Sequence, residues 1–279
     1  MPGQTIDLDA YFRHIGYDGP RAPSHETLRA LHYAHTMRVP FENIDVLMKM
    51  PIHLDGAALQ EKIVHQGRGG YCFEQNGLFL RVLRQMGFEA TGLIGRVRWR
   101  AAEGVETPQT HMLIRVDLPD GVFVADVGFG GYRMTEPIRL VGEVAQQTAH
   151  GQFRLVSRGV EFDLQAELNG KWADLCRFTL QPQLQIDYEL SNWYTSTHPT
   201  TIFTNHLFVE LPGRDGHYLL LDNELTIRRP GAEPEFRRLT AIEEMVRVLR
   251  QDFRLEVRSD AERDMLADFV ARPPGRQVP

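Results

Sequence analysis

The chain has 279 residues, of which 42% are hydrophobic and 24% charged, and this composition is typical of a globular protein long enough for two or three subdomains. Its net charge of −6 argues against nucleic acid or an anionic membrane as the main partner, but leaves room for a local basic pocket that binds a phosphorylated cofactor. No apolar run approaches the ~18 residues that span a bilayer, and the N-terminus lacks the basic and apolar regions of a signal peptide. We therefore expect a cytoplasmic protein.

The first third of the chain has the apolar spacing of helices. Ser24 is a candidate N-cap for a helix that ends before Pro40, and a second short helix is predicted over 57–64. A third helix begins at Cys72, because this residue and the apolar residues after it share one face until Gly87. These segments predict a small helical bundle.

From about residue 90 the pattern changes to the period of two that is typical of strands. Apolar residues alternate with Arg96, Arg98 and Arg100, and two further strand-like runs flank the turn Leu118-Pro119-Asp120-Gly121. More strand-like runs follow, so the middle third predicts an antiparallel sheet or small barrel.

The last third mixes both patterns, which makes the expected fold class α+β. A second hairpin is predicted over 206–221, where Pro212 and Gly213 provide turn chemistry. Thr240 and Glu243 form a capping-box pattern that predicts a helix, and a last helix is expected near 261–270.

Cys72 lies where the glycine-rich segment Gly67-Arg68-Gly69-Gly70 becomes a helix. Since the first turn of a helix has unpaired N–H groups and the positive end of the macrodipole, this position favours a thiolate. A small buried hydrophobic residue is the alternative interpretation. The second cysteine, Cys176, permits one disulfide with Cys72, but free thiols are simpler in a reducing cytosol.

A candidate base and a candidate orienting acid flank the first hairpin turn. With that turn centred in its Pro-Asp pair, Asp126 lies opposite Leu113 and diagonal to His111, within side-chain reach. His111 would then accept the proton of the Cys72 thiol, while Asp126 would hold the other N–H of the imidazole. A hydrogen-bonded strand histidine beside a turn-flanking acid is the alternative.

Five blocks of sequence stand in order along 39–196, which is more than half of the chain. They are Val39-Pro40-Phe41-Glu42-Asn43-Ile44-Asp45, Arg68-Gly69-Gly70-Tyr71-Cys72-Phe73-Glu74-Gln75-Asn76, Thr110-His111-Met112, Asp126-Val127-Gly128-Phe129-Gly130 and Ser191-Asn192-Trp193-Tyr194-Thr195-Ser196. Together they resemble the arylamine N-acetyltransferase family, and the cysteine block is the most specific of the five.

The resemblance implies a helical bundle over 1–88, an antiparallel β-barrel over 89–195 and an α/β lid over 196–279, with a core like that of cysteine proteases. It implies a Cys72-His111-Asp126 triad and ping-pong acyl transfer. Cys72 would take an acetyl group from acetyl-CoA, the co-substrate, and pass it to an arylamine, a hydrazine or an N-hydroxyarylamine. Neither a metal nor a tightly bound cofactor is expected, and the protein would be a monomer or homodimer.

By the same resemblance, Phe129 and Phe203 line an apolar pocket for the acceptor, and Phe41 is a further candidate. Because phenylalanines are mostly core residues, a packing role is the alternative. Arg68 and Glu42 are predicted to form a buried ion pair rather than to contact substrate. The pair would support the loop that precedes Cys72 (residues 67–71, the cysteine loop).

The loop Gly128-Phe129-Gly130-Gly131 would suit a pyrophosphate, since small residues let backbone N–H groups approach an anion. We therefore predict that Gly128, Gly130 and Gly131 contact CoA, together with Arg98 from the preceding strand. Solvated strand charges are the alternative for the arginines.

Two other functions use the same residues differently. A papain- or transglutaminase-like hydrolase or amidase would use the triad with water as the acceptor. A non-catalytic CoA-binding protein is a third hypothesis, although binding alone does not need all three residues. A metal site at His32 and His35, one helical turn apart, lacks a third ligand nearby in the sequence.

Overall fold

The computed structural model describes residues 5–102, 104–213, 215–229 and 231–273, and no helix in these ranges is long and apolar enough to cross a membrane. The helices are α1 (Leu8–Ile15), α2 (His25–Arg38), α3 (Ile44–Leu47), α4 (Gly56–Leu59) with a π-helical continuation (Gln60–His65), α5 (Cys72–Gln85), α6 (Gln185–Thr197), α7 (Ile202–Asn205), α8 (Ile242–Phe253) and α9 (Asp260–Val270). The strands are β1 (Phe41–Glu42), β2 (Glu89–Val97), β3 (Gln109–Leu118), β4 (Gly121–Ala125), β5 (Ile138–Arg139), β6 (Gln146–Thr148), β7 (Gly151–Arg158), β8 (Glu161–Leu168), β9 (Lys171–Thr179), β10 (Phe208–Pro212), β11 (His217–Leu221), β12 (Glu224–Arg228) and β13 (Glu235–Arg238).

The predicted N-terminal helices are confirmed. The Ser24 side chain accepts a hydrogen bond from the backbone N–H of Thr27, and so caps α2. The second predicted helix begins at Gly56, where Asp55 caps α4, and it continues as a π-helical segment that the sequence did not predict. Helix α5 begins at Cys72, and its apolar face packs in one core with α1, α2 and the strands β2 to β4.

The middle of the chain forms a nearly closed antiparallel barrel, which confirms the predicted sheet. Within the described residues its strands follow the order β5-β4-β3-β2-β9-β8-β7-β6. The Gln146 side chain in β6 exchanges two hydrogen bonds with the backbone of Arg139 in β5. A side chain, rather than strand pairing, therefore links the two edges of the barrel.

The β3–β4 hairpin has the predicted register. Ile114 pairs with Ala125, and one further step along this register puts Asp126 opposite Leu113. Helix α5 packs on β2 and β3, so the end of the hairpin that carries His111 lies beside the start of that helix.

Strand β2 ends earlier than the alternating arginines predicted. The backbone N–H groups of Arg98 and Trp99 both donate to the carbonyl of Leu175, and Arg100 has a left-handed φ of 56°. These features turn the chain out of the sheet after Val97. The prediction that Arg98 projects from a continuing strand was therefore wrong.

The C-terminal sheet has the order β1-β10-β11-β12-β13 among the described residues, and it shares a core with α8 and α9. Its β10–β11 pair is the predicted second hairpin. Strand β1 comes from the N-terminal third of the chain, yet Phe41 pairs with Glu210 in β10. Helix α8 has Ala241 as its N-cap without a side-chain hydrogen bond, so the predicted capping box at Thr240 was wrong.

A cluster of buried charges ties the cysteine loop to the rest of the fold. The Arg68 guanidinium lies 3.1 Å from a carboxylate oxygen of Glu42. It also lies 3.3 Å from Asp45 in α3 and 3.8 Å from Glu262 in α9. Arg68 is 5% exposed and Glu42 is fully buried. The two residues predicted to pair thus meet, and carboxylates surround the guanidinium.

Lys62 extends this cluster to the helix that begins at Cys72. Its ammonium lies 2.7 Å from Asp45 and 2.7 Å from Glu74 in the first turn of α5. Burial opposes the charge of Lys62, but the carboxylates of Glu74, Glu42 and Asp45 raise its pKa well above the usual value. The ammonium therefore stays charged at neutral pH and holds α5 against the loop before it.

Backbone contacts fix the same loop at close range. The N–H of Gly70 donates to the carbonyl of Pro40, and the N–H of Glu42 donates to the carbonyl of Gly70. A Cβ at Gly69 would lie 2.1 Å from the carbonyl oxygen of Pro40. Only glycine fits there, because the two segments run backbone against backbone.

We predict that Arg68→Ala mainly destabilises the protein. The substitution leaves Glu42 buried without its cation, which costs about 3–5 kcal/mol of unfolding free energy. Chemical denaturation measures this loss. Arg21→Ala is the matched control, since Arg21 forms an ion pair with Asp9 at the surface, where both side chains are about 60% exposed, and its loss changes stability little. An Arg68→Ala protein with wild-type stability and no activity would show that Arg68 acts on substrate instead.

Candidate active site

Cys72 is the first residue of α5, and Tyr71 is its N-cap. The Glu74 carboxylate accepts a hydrogen bond from the backbone N–H of Tyr71, which fixes the entry to the helix. The Cys72 side chain lies 3.5 Å from the carbonyl oxygen of Thr110 in β3. Cys72 is 4% exposed, and both Cys72 and Cys176 are free thiols.

The structure brings Cys72, His111 and Asp126 together. The His111 Nε2 atom lies 2.6 Å from a carboxylate oxygen of Asp126. The Cys72 thiol is close enough to the imidazole to contribute to the raised pKa of His111, and both side chains line the same cleft. His111 is 3% exposed and Asp126 is fully buried. A thiol, an imidazole and a carboxylate in this order are the groups that a nucleophile, a base and an orienting acid require.

Asp126 is held by more groups than the sequence indicated. Its second oxygen accepts hydrogen bonds of 2.9 Å from the Asn76 side chain and from the backbone N–H of Gly128. Its own backbone N–H donates to His32 Nε2. Asn76 lies one turn after Cys72 in α5, and that spacing was the one signal of its position. The contact of His32 is long-range and had no signal in the sequence.

His111 and Asp126 stabilise each other's charged forms. Burial alone would lower the pKa of His111, but Asp126 and Cys72 raise it to about 10. Burial would raise the pKa of Asp126, but His111, Asn76 and Gly128 leave it below its ordinary value. The pair therefore stabilises the fold fully at moderately acidic pH. Its contribution falls as pH rises from 6.5 through about 10, and again in strong acid.

A cleft of about 530 Å³ opens over Cys72 and His111. Its walls include Phe41, Phe129 and Phe203, which are the residues predicted for an aromatic acceptor. The sequence missed several other wall residues from distant segments, namely Trp99, Tyr194, Ile202 and Phe208. A mainly apolar cleft with a few reactive polar groups is the usual form of a small-molecule site.

The aromatic wall is a packed cluster rather than separate rings. The Phe41 ring centroid lies 5.6 Å from that of Phe203 and 5.4 Å from that of Phe208. Phe129 stands edge-on to the His111 imidazole at 4.9 Å. A Cβ at Gly130 would lie 2.9 Å from the Phe41 ring, so the glycine lets the wall form.

Two backbone N–H groups of the loop after Asp126 (residues 128–131, the glycine loop) donate to carboxylates of this chain. The N–H of Gly128 donates to Asp126, and the N–H of Gly131 lies 3.4 Å from the buried carboxylate of Glu210. At these two positions the backbone N–H groups predicted to bind the CoA pyrophosphate already have carboxylate acceptors within the protein. A Cβ at Gly128 would lie 2.8 Å from the Cα of Cys72, which gives this glycine a packing role.

Of the predicted CoA contacts, Gly128 and Gly130 line the cleft, whereas Gly131 and Arg98 do not. The Arg98 guanidinium donates to the carbonyl of Val105. Arg100, two residues further on, lines the cleft instead.

His32 and His35 of α2, the pair considered as metal ligands, have separate roles. His32 accepts a hydrogen bond from the Asp126 backbone, and the His35 Nδ1 atom lies 2.8 Å from the Tyr11 hydroxyl. Burial lowers the pKa of His32 to about 4, so its imidazole is neutral. Within the parts of the chain that the structure describes, no group of three or more His, Cys, Asp or Glu side chains could hold a metal ion.

Known proteins are similar to this chain in sequence and in fold. A family profile described as N-acetyltransferase matches residues 24–262. The arylamine N-acetyltransferase of Escherichia coli (strain K12) is 40% identical over 268 residues, which are 96% of this chain and 95% of that protein. The arylamine N-acetyltransferase / N-hydroxyarylamine O-acetyltransferase of Salmonella typhimurium is 40% identical over 254 residues, which are 91% of this chain and 90% of that protein.

The solved structure of Mycobacterium marinum arylamine N-acetyltransferase in complex with CoA superimposes with a TM-score of 0.90. It is 37% identical, and the match covers 95% of this chain and 98% of that one. The predicted α+β fold is confirmed by this agreement. By sequence and by structure, the chain belongs to the arylamine N-acetyltransferase family and is an acetyltransferase.

Proposed function

We propose that this enzyme acetylates arylamines, arylhydrazines or N-hydroxyarylamines by a ping-pong reaction, with acetyl-CoA as co-substrate and an S-acetyl-Cys72 intermediate. The observation that carries the proposal is the contact of Cys72, His111 and Asp126 at the wall of an aromatic cleft. The CoA complex of the Mycobacterium marinum relative supports acetyl-CoA as the donor.

In the first half-reaction, the Cys72 thiolate attacks the carbonyl carbon of the acetyl thioester. The bond between that carbon and the CoA sulfur breaks, and His111 gives its proton to the departing CoA thiolate. The backbone N–H of Cys72, at the first turn of α5, is the first candidate donor to the oxyanion. One such donor contributes on the order of 3 kcal/mol to transition-state stabilisation.

In the second half-reaction, the acceptor nitrogen or hydroxyl oxygen attacks the acetyl carbon on Cys72. Neutral His111 accepts the proton of the attacking group, and the Cys72 thiolate leaves. The starting ion pair is then restored. Asp126 keeps its charge throughout and holds His111 Nε2.

The cleft supports an aromatic acceptor. An arylamine is a weak base and is uncharged at neutral pH, so apolar walls do not penalise its binding. Phe129 stands beside His111, and Phe203 and Phe41 form the adjoining wall. We propose that an aromatic ring bound against Phe129 and Phe203 directs its amine at Cys72.

Other expectations from the sequence stay predictions. These are the domain ranges 1–88, 89–195 and 196–279, the lack of metal and of a tightly bound cofactor, a cytoplasmic location and a monomer or homodimer.

Intact-mass spectrometry with acetyl-CoA and no acceptor tests the proposed intermediate. We expect a single acetyl group on Cys72 that p-anisidine removes to give an N-acetyl product, and no adduct in Cys72→Ala. An acetyl group that only water removes would instead indicate a hydrolase. A protein that gains no acetyl group would contradict the intermediate.

His111→Gln should slow the alkylation of Cys72 by iodoacetamide at neutral pH by about tenfold or more, because the variant lacks the imidazolium beside the sulfur. The wild-type rate should change little between about pH 7 and 9, since the pKa of His111 is raised to about 10, whereas the variant's rate should rise with pH. Cys72→Ala is the control for background labelling, and burial raises the pKa of Cys176 so that it labels slowly. Equal rates and equal pH profiles would remove His111 from the mechanism.

Asp126→Asn should lower the acetylation rate by about 100-fold or more, because an amide can donate to His111 and so favour the wrong tautomer. Asp163→Asn is the matched control, since Asp163 is also fully buried and is held by Arg158 and Arg177. Both variants should lose stability, but only Asp126→Asn should lose activity per folded molecule. A near-wild-type rate in folded Asp126→Asn would contradict the orienting role.

A further inference from the structure

A second cavity, of about 440 Å³, lies between the barrel and the C-terminal sheet. Tyr132 and Arg133, at the end of the glycine loop, form one wall, and His217 and Arg228 of the C-terminal sheet form another. None of the residues that line it also lines the cleft over Cys72. The two cavities therefore lie at opposite ends of one loop.

The lining of this cavity is cationic in an acidic protein. Arg133, Arg228 and Arg229 line it against a single acidic side chain, Glu167, although the whole chain has a net charge of −6. Arg229 lies 2.9 Å from Glu235, and the Nε atom of Arg133 lies 3.4 Å from Glu210. Two of the three arginines thus have a carboxylate partner.

Arg228 has no such partner. Among the described residues, its guanidinium pairs with no carboxylate, and its Nη1 atom is buried without a hydrogen-bond acceptor. The guanidinium instead lies over the face of the Tyr132 ring, whose centroid is 5.1 Å away. The Nη2 atom of fully buried Arg133 also has no acceptor among the described residues. Unpaired guanidinium donors of this kind are costly in a folded protein and call for an explanation.

We propose that this cavity binds the phosphate group of a phosphorylated compound. Arg228 would offer a planar fork of donors, the geometry that matches a phosphate, and Arg133 Nη2 would add a further donor. The Nε2 atom of His217 already pairs with the buried carboxylate of Glu210, so this ring is not counted among the donors. The volume exceeds that of a phosphate ion, so an attached organic group also fits beside Tyr132 and Phe153.

Two sources of that phosphate are compatible with the geometry. Trp99 lines the cleft over Cys72 and Tyr132 lines the second cavity, and their ring centroids lie 4.5 Å apart. The two cavities therefore adjoin at this pair of rings, and the phosphates of an acetyl donor bound in the cleft are one source. A separate phosphorylated compound could equally occupy it.

Isothermal titration of the whole protein with inorganic pyrophosphate at low salt tests the proposal. We expect binding that weakens with added salt, and a loss of affinity of about tenfold or more in Arg228→Gln. Arg154→Gln is the matched control, since Arg154 also lies over an aromatic ring, Trp172, but lines neither cavity. Its affinity should equal that of the wild type.

Arg228→Lys covers the case in which Arg228→Gln does not fold. It keeps the charge but not the fork, so its affinity should fall by about threefold or more. Unchanged affinity in either folded variant, or no binding of pyrophosphate by the wild type, overturns the proposal.

Titration of the CoA-saturated protein distinguishes the two sources. Pyrophosphate that no longer binds would identify the donor's own phosphates as the occupant, whereas pyrophosphate that binds with unchanged affinity would indicate a separate compound. Both results require the Arg228-dependent site. Because pyrophosphate binding needs no acetyl transfer, its outcome is independent of whether Cys72 is acetylated.

Discussion

The Asp126 carboxylate is the point on which the active-site geometry depends. One of its oxygens holds His111 Nε2, and the other accepts hydrogen bonds from Asn76 and Gly128. Through these bonds one side chain joins strand β3, helix α5 and the glycine loop. A buried carboxylate needs several donors to remain charged, so the fold must bring all three elements to it. The position of the histidine beside the thiol follows from that requirement.

The cysteine loop is held by a different means. The backbones of Gly69 and Gly70 lie directly against the segment that begins at Pro40. The Arg68–Glu42 ion pair joins the same two segments through their side chains. Strand β1 in that segment also pairs with the C-terminal sheet. The loop before Cys72 is therefore fixed by a segment that belongs to two parts of the fold. This explains why the ion pair can stabilise the protein without touching the cleft.

Local signals in the sequence were sufficient for parts of the site and insufficient for its surroundings. The start of α5 and the register of the β3–β4 hairpin are set by nearby residues, so the helix-start position of Cys72 and the His111–Asp126 contact could be predicted. The meeting of Cys72 with that pair is a long-range contact, and its prediction rested on the resemblance to a family. Phe208 and His32 reach the site only through tertiary packing, and such contacts produce no periodic pattern in the sequence. Arg98 was misplaced because strand β2 ends in a backbone turn that no side-chain pattern marks.

The proposed reaction also agrees with the burial of the site. In the proposed mechanism the reacting form has a Cys72 thiolate, an ionised Asp126 and a protonated His111, so the three side chains carry a net charge of −1. Directly after the proposed acetyl transfer, Cys72 and His111 are both neutral, and Asp126 alone carries the same −1. In this mechanism the total charge of the three buried side chains is thus the same after each half-reaction, although the charges of Cys72 and His111 change. Changing the net charge of a site with almost no exposed surface would be costly. A triad that keeps its net charge avoids this cost, and the donors around Asp126 need to stabilise only one anion in either form of the enzyme.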